Sequence, residues 1–146
     1  MKIIYLIRHG LIDYTTQQLA PEGVAFAKIL PERIPKKLNF ICSDESKRCL
    51  ETVKILADHS GLDIHKFSKI EFSLCQPLSQ CMLYNRSAIC YRIETINPIL
   101  EKIGLSVFMD ETRDSAYEFI WKVKLDDKGN ILNDQKIPTG YSKFNK

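Results

Sequence analysis

The 146-residue chain carries no apolar run of membrane-spanning length, no block of like charge, no CxxC pair, no GxGxxG and no P-loop. Each absence removes a class of function. The N-terminal apolar stretch ends at Arg8, too early for a signal peptide or a span. Lysine and arginine exceed aspartate and glutamate by only 21 to 18, without a stripe that would suit nucleic acid or a membrane surface. The expectation is a soluble, cytoplasmic protein with no nucleic-acid or membrane partner. Five cysteines lie at 42, 49, 75, 81 and 90 without histidines spaced to complete a metal set. They read as small buried hydrophobes in a reducing compartment, not as a zinc site or a disulfide framework. There are no repeats, no low-complexity tracts and no linker, so residues 1–146 read as one domain.

What is present alternates. "KIIYLI" is nearly continuous in apolar residues, as a strand buried on both faces should be. "APEGVAFAKILPERI" reads as a helix with Pro21 in its first turn and Val24, Ala27 and Leu30 on its inner face. "LNFICSD" is a second strand, followed by a helix in "ESKRCLETVKILADHSG" that packs through Leu50, Val53, Leu56 and Ala57 and closes at Gly61. "KIEFSLCQPLSQCML" is ambiguous between strand and helix. "SAICYRIE" reads as a further buried strand, and "NPILEKIG" as a helix capped by Asn97, opened by Pro98 and ended at Gly104. The stretch around Trp121 alternates as a strand, and "DDKGN" supplies a hairpin turn. The pattern predicts an α/β protein: a three-layer α/β/α sandwich with a mostly parallel sheet and a late antiparallel edge hairpin.

In such a sheet ligands bind beyond the carboxyl ends of the strands. The first strand ends in Arg8, His9 and Gly10, and the second is followed by a helix with Arg48 in its first turn. Two guanidinium groups and a helix N-terminus would meet in one crevice, which suits an anion with several oxygens such as phosphate. His9 stands between them with an imidazole able to act as a neutral nucleophile. Gly10 would let the backbone approach a ligand closely.

These residues also carry a likeness. "YLIRHG", "LAPEGVAFA" and "ICSDESKRCLETVKIL", in this order and spacing, resemble the histidine phosphatase superfamily, the phosphoglycerate mutase-like proteins. Ser43, Arg48 and Thr52 stand where that family has Ser, Arg and Thr, and Asp44 replaces its second Ser. The resemblance implies a phosphohistidine at His9, phosphoryl oxygens held by Arg8, Gly10 and Arg48, and a small phosphorylated substrate, with no metal and no other cofactor. It implies a glutamate after the second helix as general acid, a place that Glu71 occupies. It also implies a second histidine in "SAICYRIETINPILEKIGL", where the residue at the matching position is Ile93. An aliphatic side chain cannot donate to a phosphoryl oxygen. Arg92, beside it, brings a charge that would partly replace the missing donor. His59 and His65 read as a helix end and the approach to the next segment.

Two functions follow from the resemblance. One is phosphomonoester hydrolysis through His9, weakened by Ile93; the other is a catalytically inactive pseudophosphatase that binds a phosphorylated ligand or a protein. A chain this short has little room for the helical insertions that shape mutase pockets, which disfavours mutase activity. Trp121 and Phe119 are expected in the core.

Overall fold

A computed structural model describes residues 1–34, 37–105 and 119–140. Six strands form one sheet: β1 (Lys2–Arg8), β4 (Phe40–Asp44), β5 (Ile64–Phe67), β6 (Arg86–Tyr91), β7 (Phe119–Leu125) and β8 (Ile131–Pro138). Their order is β5-β4-β6-β1-β7-β8. The first four of these run parallel, while β7 pairs antiparallel with β1 and β8 antiparallel with β7. The expected α/β architecture with an antiparallel edge hairpin is therefore what the chain adopts. Two further strands of two residues each, β2 (Ile12–Asp13) and β3 (Gln18–Leu19), form a small separate hairpin after β1.

The continuous apolar run in β1 has a direct cause. Side chains alternate across a strand, and here both faces are covered. Ile3, Tyr5 and Ile7 join one core cluster with Phe26 and Leu30 of α1 (Pro21–Arg33) and Val53 and Leu56 of α2 (Lys47–Ser60). Ile4 and Leu6 join the opposite cluster. There they meet Phe72 of α3 (Lys69–Ser73), Leu78 of α4 (Gln76–Cys81), and Ile96, Ile99 and Leu100 of α5 (Ile93–Ile103). The ambiguous stretch after β5 is thus two short helices. Trp121 is buried in the second cluster, with the Phe119 ring edge-on to it at 5.5 Å between centroids.

Three details correct the sequence reading. In α1 it is Phe26 that turns inward with Ala27 and Leu30, while Val24 faces solvent. In α2 the inner face takes Cys49, and Leu50 is only half-buried. The third concerns β6, which stops at Tyr91, so that α5 begins at Ile93, a full turn before Asn97. Thr95 explains this start: its Oγ1 accepts the Arg92 N–H at 3.2 Å and donates to the Arg92 carbonyl at 3.0 Å, closing the first turn. Pro98 then lies inside the helix, where it deprives only the Glu94 carbonyl of a partner, and burial of Ile96, Ile99, Leu100 and Ile103 outweighs that loss. Gly61 and Gly104 end α2 and α5 in left-handed conformations, as their positions predict.

All five cysteines are free thiols, and four are buried. The Cys42 and Cys81 sulfurs lie 3.9 Å apart, and burial pushes the thiols of Cys42 and Cys90 well above their ordinary range.

Candidate active site

Parallel packing brings the carboxyl ends of β1, β4 and β6 to one edge of the sheet, where α2 and α5 begin. His9 follows β1 directly. Its backbone N–H donates to the Tyr91 carbonyl at 3.2 Å, extending the pairing with β6 one residue past Arg8. The ring is 5% exposed. Its Nδ1 lies 2.8 Å from the Gly10 carbonyl. A carbonyl only accepts, so Nδ1 carries the proton and Nε2 keeps its lone pair.

The electrostatics keep the ring in its neutral form. Burial lowers the His9 pKa to about 4, assisted by the positive charges of Arg8 and Arg48, while the Gly10 carbonyl and the Glu94 carboxylate act in the opposite sense. The imidazole is therefore neutral near pH 7. Arg8 and Arg48 are each within electrostatic reach of His9.

Gly10 has a structural duty. A Cβ on it would stand 2.8 Å from the Gly23 carbonyl oxygen, and a Cβ on Gly23 would stand 2.2 Å from the Leu11 carbonyl oxygen. Two glycines let α1 lie against the backbone that carries His9. The Gly10 N–H donates to Thr52 Oγ1 at 2.8 Å, and that hydroxyl donates to the Arg48 carbonyl at 2.7 Å. Thr52 thus couples the His9 loop to the first turn of α2. Ser43 is buried and donates to the Asp44 carbonyl at 2.8 Å.

Arg92 is differently engaged. Its Nε lies 3.1 Å from Oδ1 of the fully buried Asp44 and 3.8 Å from a Glu94 oxygen. Glu71 closes a capping box at the start of α3, accepting the Ser68 N–H at 2.9 Å and donating its own N–H to the Ser68 hydroxyl at 3.2 Å. The carboxylate whose charge reaches His9 is that of Glu94, which sequence reasoning missed; on an amphipathic helix it looks like any solvated glutamate. Ile93 is half-buried at the first position of α5. His59 is exposed in the last turn of α2, at the end of that helix remote from Arg48. His65 is exposed on β5 against the Phe40 ring. Among the described residues, no three His, Cys, Asp or Glu side chains gather as metal ligands would.

Arg48 has one further partner, which the sequence did not suggest. Its Nη2 donates to Gln17 Oε1 at 3.1 Å, at the tip of the β2–β3 hairpin.

Residues 4–71 match the family model of the histidine phosphatase superfamily (branch 1). No curated protein gives a significant sequence match. Among solved structures, the α-ribazole phosphatase of Shigella flexneri superposes with a TM-score of 0.72 at 12% identity, over 99% of this chain and 100% of its own. A putative phosphohistidine phosphatase, SixA, from Agrobacterium tumefaciens gives 0.65 at 17% identity, over 92% of this chain and 97% of its own. The Entamoeba histolytica phosphoserine phosphatase, solved with 3-phosphoglyceric acid, gives 0.66 at 15% identity, over 94% and 97%. At these identities the shared property is the fold.

Proposed function

We propose, for a chain with the histidine phosphatase fold and that superfamily's signature over residues 4–71, that it binds the phosphoryl group of a small phosphate ester and hydrolyses it through His9. The observation that carries this reading is the state of the imidazole. His9 is buried, neutral, protonated on Nδ1, and under the charge of two arginines. The bound ligand named for the Entamoeba structure, 3-phosphoglyceric acid, is a phosphate ester of the same chemical class.

In this reading Arg8 and Arg48 hold the phosphoryl oxygens through charge-assisted N–H donors, and the Gly10 backbone lies alongside. His9 Nε2 attacks phosphorus; the N–P bond forms as the ester P–O bond breaks, and the electron pair leaves with the ester oxygen. Glu94, whose charge reaches His9, serves as the general acid, passing a carboxyl proton to that oxygen and becoming a carboxylate. Glu71 is committed to its helix cap, and Arg92 to Asp44. Water then attacks phosphorus and gives a proton back to the Glu94 carboxylate, the N–P bond breaks, inorganic phosphate leaves and the imidazole returns neutral. Positioning and charge stabilisation perform this chemistry. Ile93 withholds one donor from the transition state, which costs about 2.7–4 kcal/mol, or roughly a hundred- to a thousandfold in rate.

That loss is what favours the second reading, a module that binds phosphorylated ligands without turnover. Incubation with acetyl phosphate, followed by mass spectrometry under neutral conditions, separates the two. Hydrolysis through His9 requires an acid-labile phosphohistidine on the peptide containing His9, absent from His9→Ala. Phosphate binding without that adduct would establish the module instead. Loss of neither binding nor adduct in Arg48→Ala would overturn the site itself.

A further inference from the structure

The β2–β3 hairpin rises beside the crevice, and its tip is held in an uncommon conformation. Gln17 has φ of 61°, in the left-handed region that disfavours side chains other than those of Gly, Asn and Asp. Such a backbone persists where its surroundings fix it, and the bonds around Gln17 do so. Its N–H donates to the Asp13 carbonyl at 2.7 Å, and its Nε2 donates to the Tyr14 carbonyl at 2.8 Å. With the amide nitrogen anchored, Oε1 faces Arg48 and accepts from Nη2 at 3.1 Å. The hairpin is itself seated on the helix that bears Arg48: Leu19 N–H reaches Glu51 Oε2 at 3.5 Å.

From this geometry, and resting on the phosphoryl-binding reading above, we infer that Gln17 is a positioning residue that sets the direction of the Arg48 guanidinium before the anion arrives. The choice of an amide is chemically apt. A guanidinium has five N–H donors, and a neutral acceptor occupies one of them without cancelling the charge. A carboxylate at the same place would form an ion pair with Arg48 and compete with the ligand. A long arginine side chain left unsupported would have to be immobilised on binding, at an entropic cost that weakens affinity. Gln17 removes that cost in advance, and its strained backbone is what aims the amide.

Isothermal titration with inorganic phosphate and with orthovanadate tests the inference, with thermal unfolding followed in parallel. Gln17→Gly removes the amide and relieves the left-handed backbone, so its Tm should hold or rise while the anion Kd rises about five- to tenfold. A merely structural role would instead lower the Tm as binding weakens, and that outcome would overturn the inference. Gln17→Glu should weaken binding further than Gln17→Gly. In an Arg48→Ala background, Gln17→Gly should add nothing, because the group it directs is gone. If Gln17→Gly binds as tightly as the parent or more tightly, while Arg48→Ala has lost binding, the inference falls and the phosphoryl site stands. If Arg48→Ala also binds normally, the site reading falls first.

Discussion

Arg92 Nε lies 3.1 Å from Asp44 Oδ1, and that carboxylate has no exposed surface. The pair joins the end of β4 to the start of α5, and a backbone bond from Ser46 N–H to the same Asp44 oxygen at 2.8 Å completes the clasp. A buried carboxylate whose cation is removed keeps the Ser46 N–H and loses the charge that offsets its lost hydration. Arg92→Leu should therefore destabilise the protein by about 3–5 kcal/mol, and Asp44→Ser in the same chain should recover much of it. Urea unfolding measures both; a cost for Arg92→Leu of under about 1 kcal/mol would show that the clasp holds nothing.

His9 gives stability a pH dependence of known sign. Its pKa is about 4 when folded and near 6.5 when the chain is unfolded and the ring hydrated. Between these values the unfolded chain takes up a proton that the folded one refuses. The contribution is complete above pH 6.5 and is lost as pH falls toward 4, amounting to roughly 3 kcal/mol over that window. His9→Gln should flatten that part of the profile. Direct titration of the ring by NMR should give a midpoint more than one unit below 6.5; an ordinary midpoint would mean that the ring is neither shielded nor under the arginine charges.

Ile93 separates a weakened enzyme from a binding module. Ile93→His would place an N–H donor at the first position of α5, and phosphatase activity on a generic phosphomonoester should rise at least about tenfold. His9→Ala should abolish the gain. A folded Ile93→His that binds phosphate without any increase in hydrolysis would give the module reading the lead.

Much of this architecture was legible because burial on two faces leaves a plain trace. β1, β4 and β6 each show a run of apolar residues, and the glycines at 61 and 104 mark helix ends through a backbone property that few other residues supply. β5 was not visible, since a half-buried edge strand of four residues, Ile-His-Lys-Phe, carries too little pattern. The α5 boundary was misplaced because Pro98 imitates a first helical position, whereas the closing bonds come from Thr95, whose hydroxyl has no signature at that spacing. In the site, Arg8, His9 and Arg48 follow from topology, since each stands at the end of a parallel strand or in the turn after it. The Gln17 bond to Arg48 and the nearness of the Glu94 charge to His9 do not, because both depend on side-chain direction. Nor could the sequence reveal that Arg92 turns to Asp44, which requires two distant strands to be adjacent.

The crevice has two walls of unequal persistence. β1 lies between β6 and β7, with the Ile3 to Leu6 stretch paired on both sides, so its amides should exchange with deuterium only when the whole sheet opens. The hairpin that bears Gln17 consists of two strands of two residues each, below the size that is stable by itself, and it can open while the sheet stays closed. His9 is thus held on the slow clock of the fold, while Gln17 directs Arg48 in the closed hairpin and brief local openings release the arginine without disturbing β1.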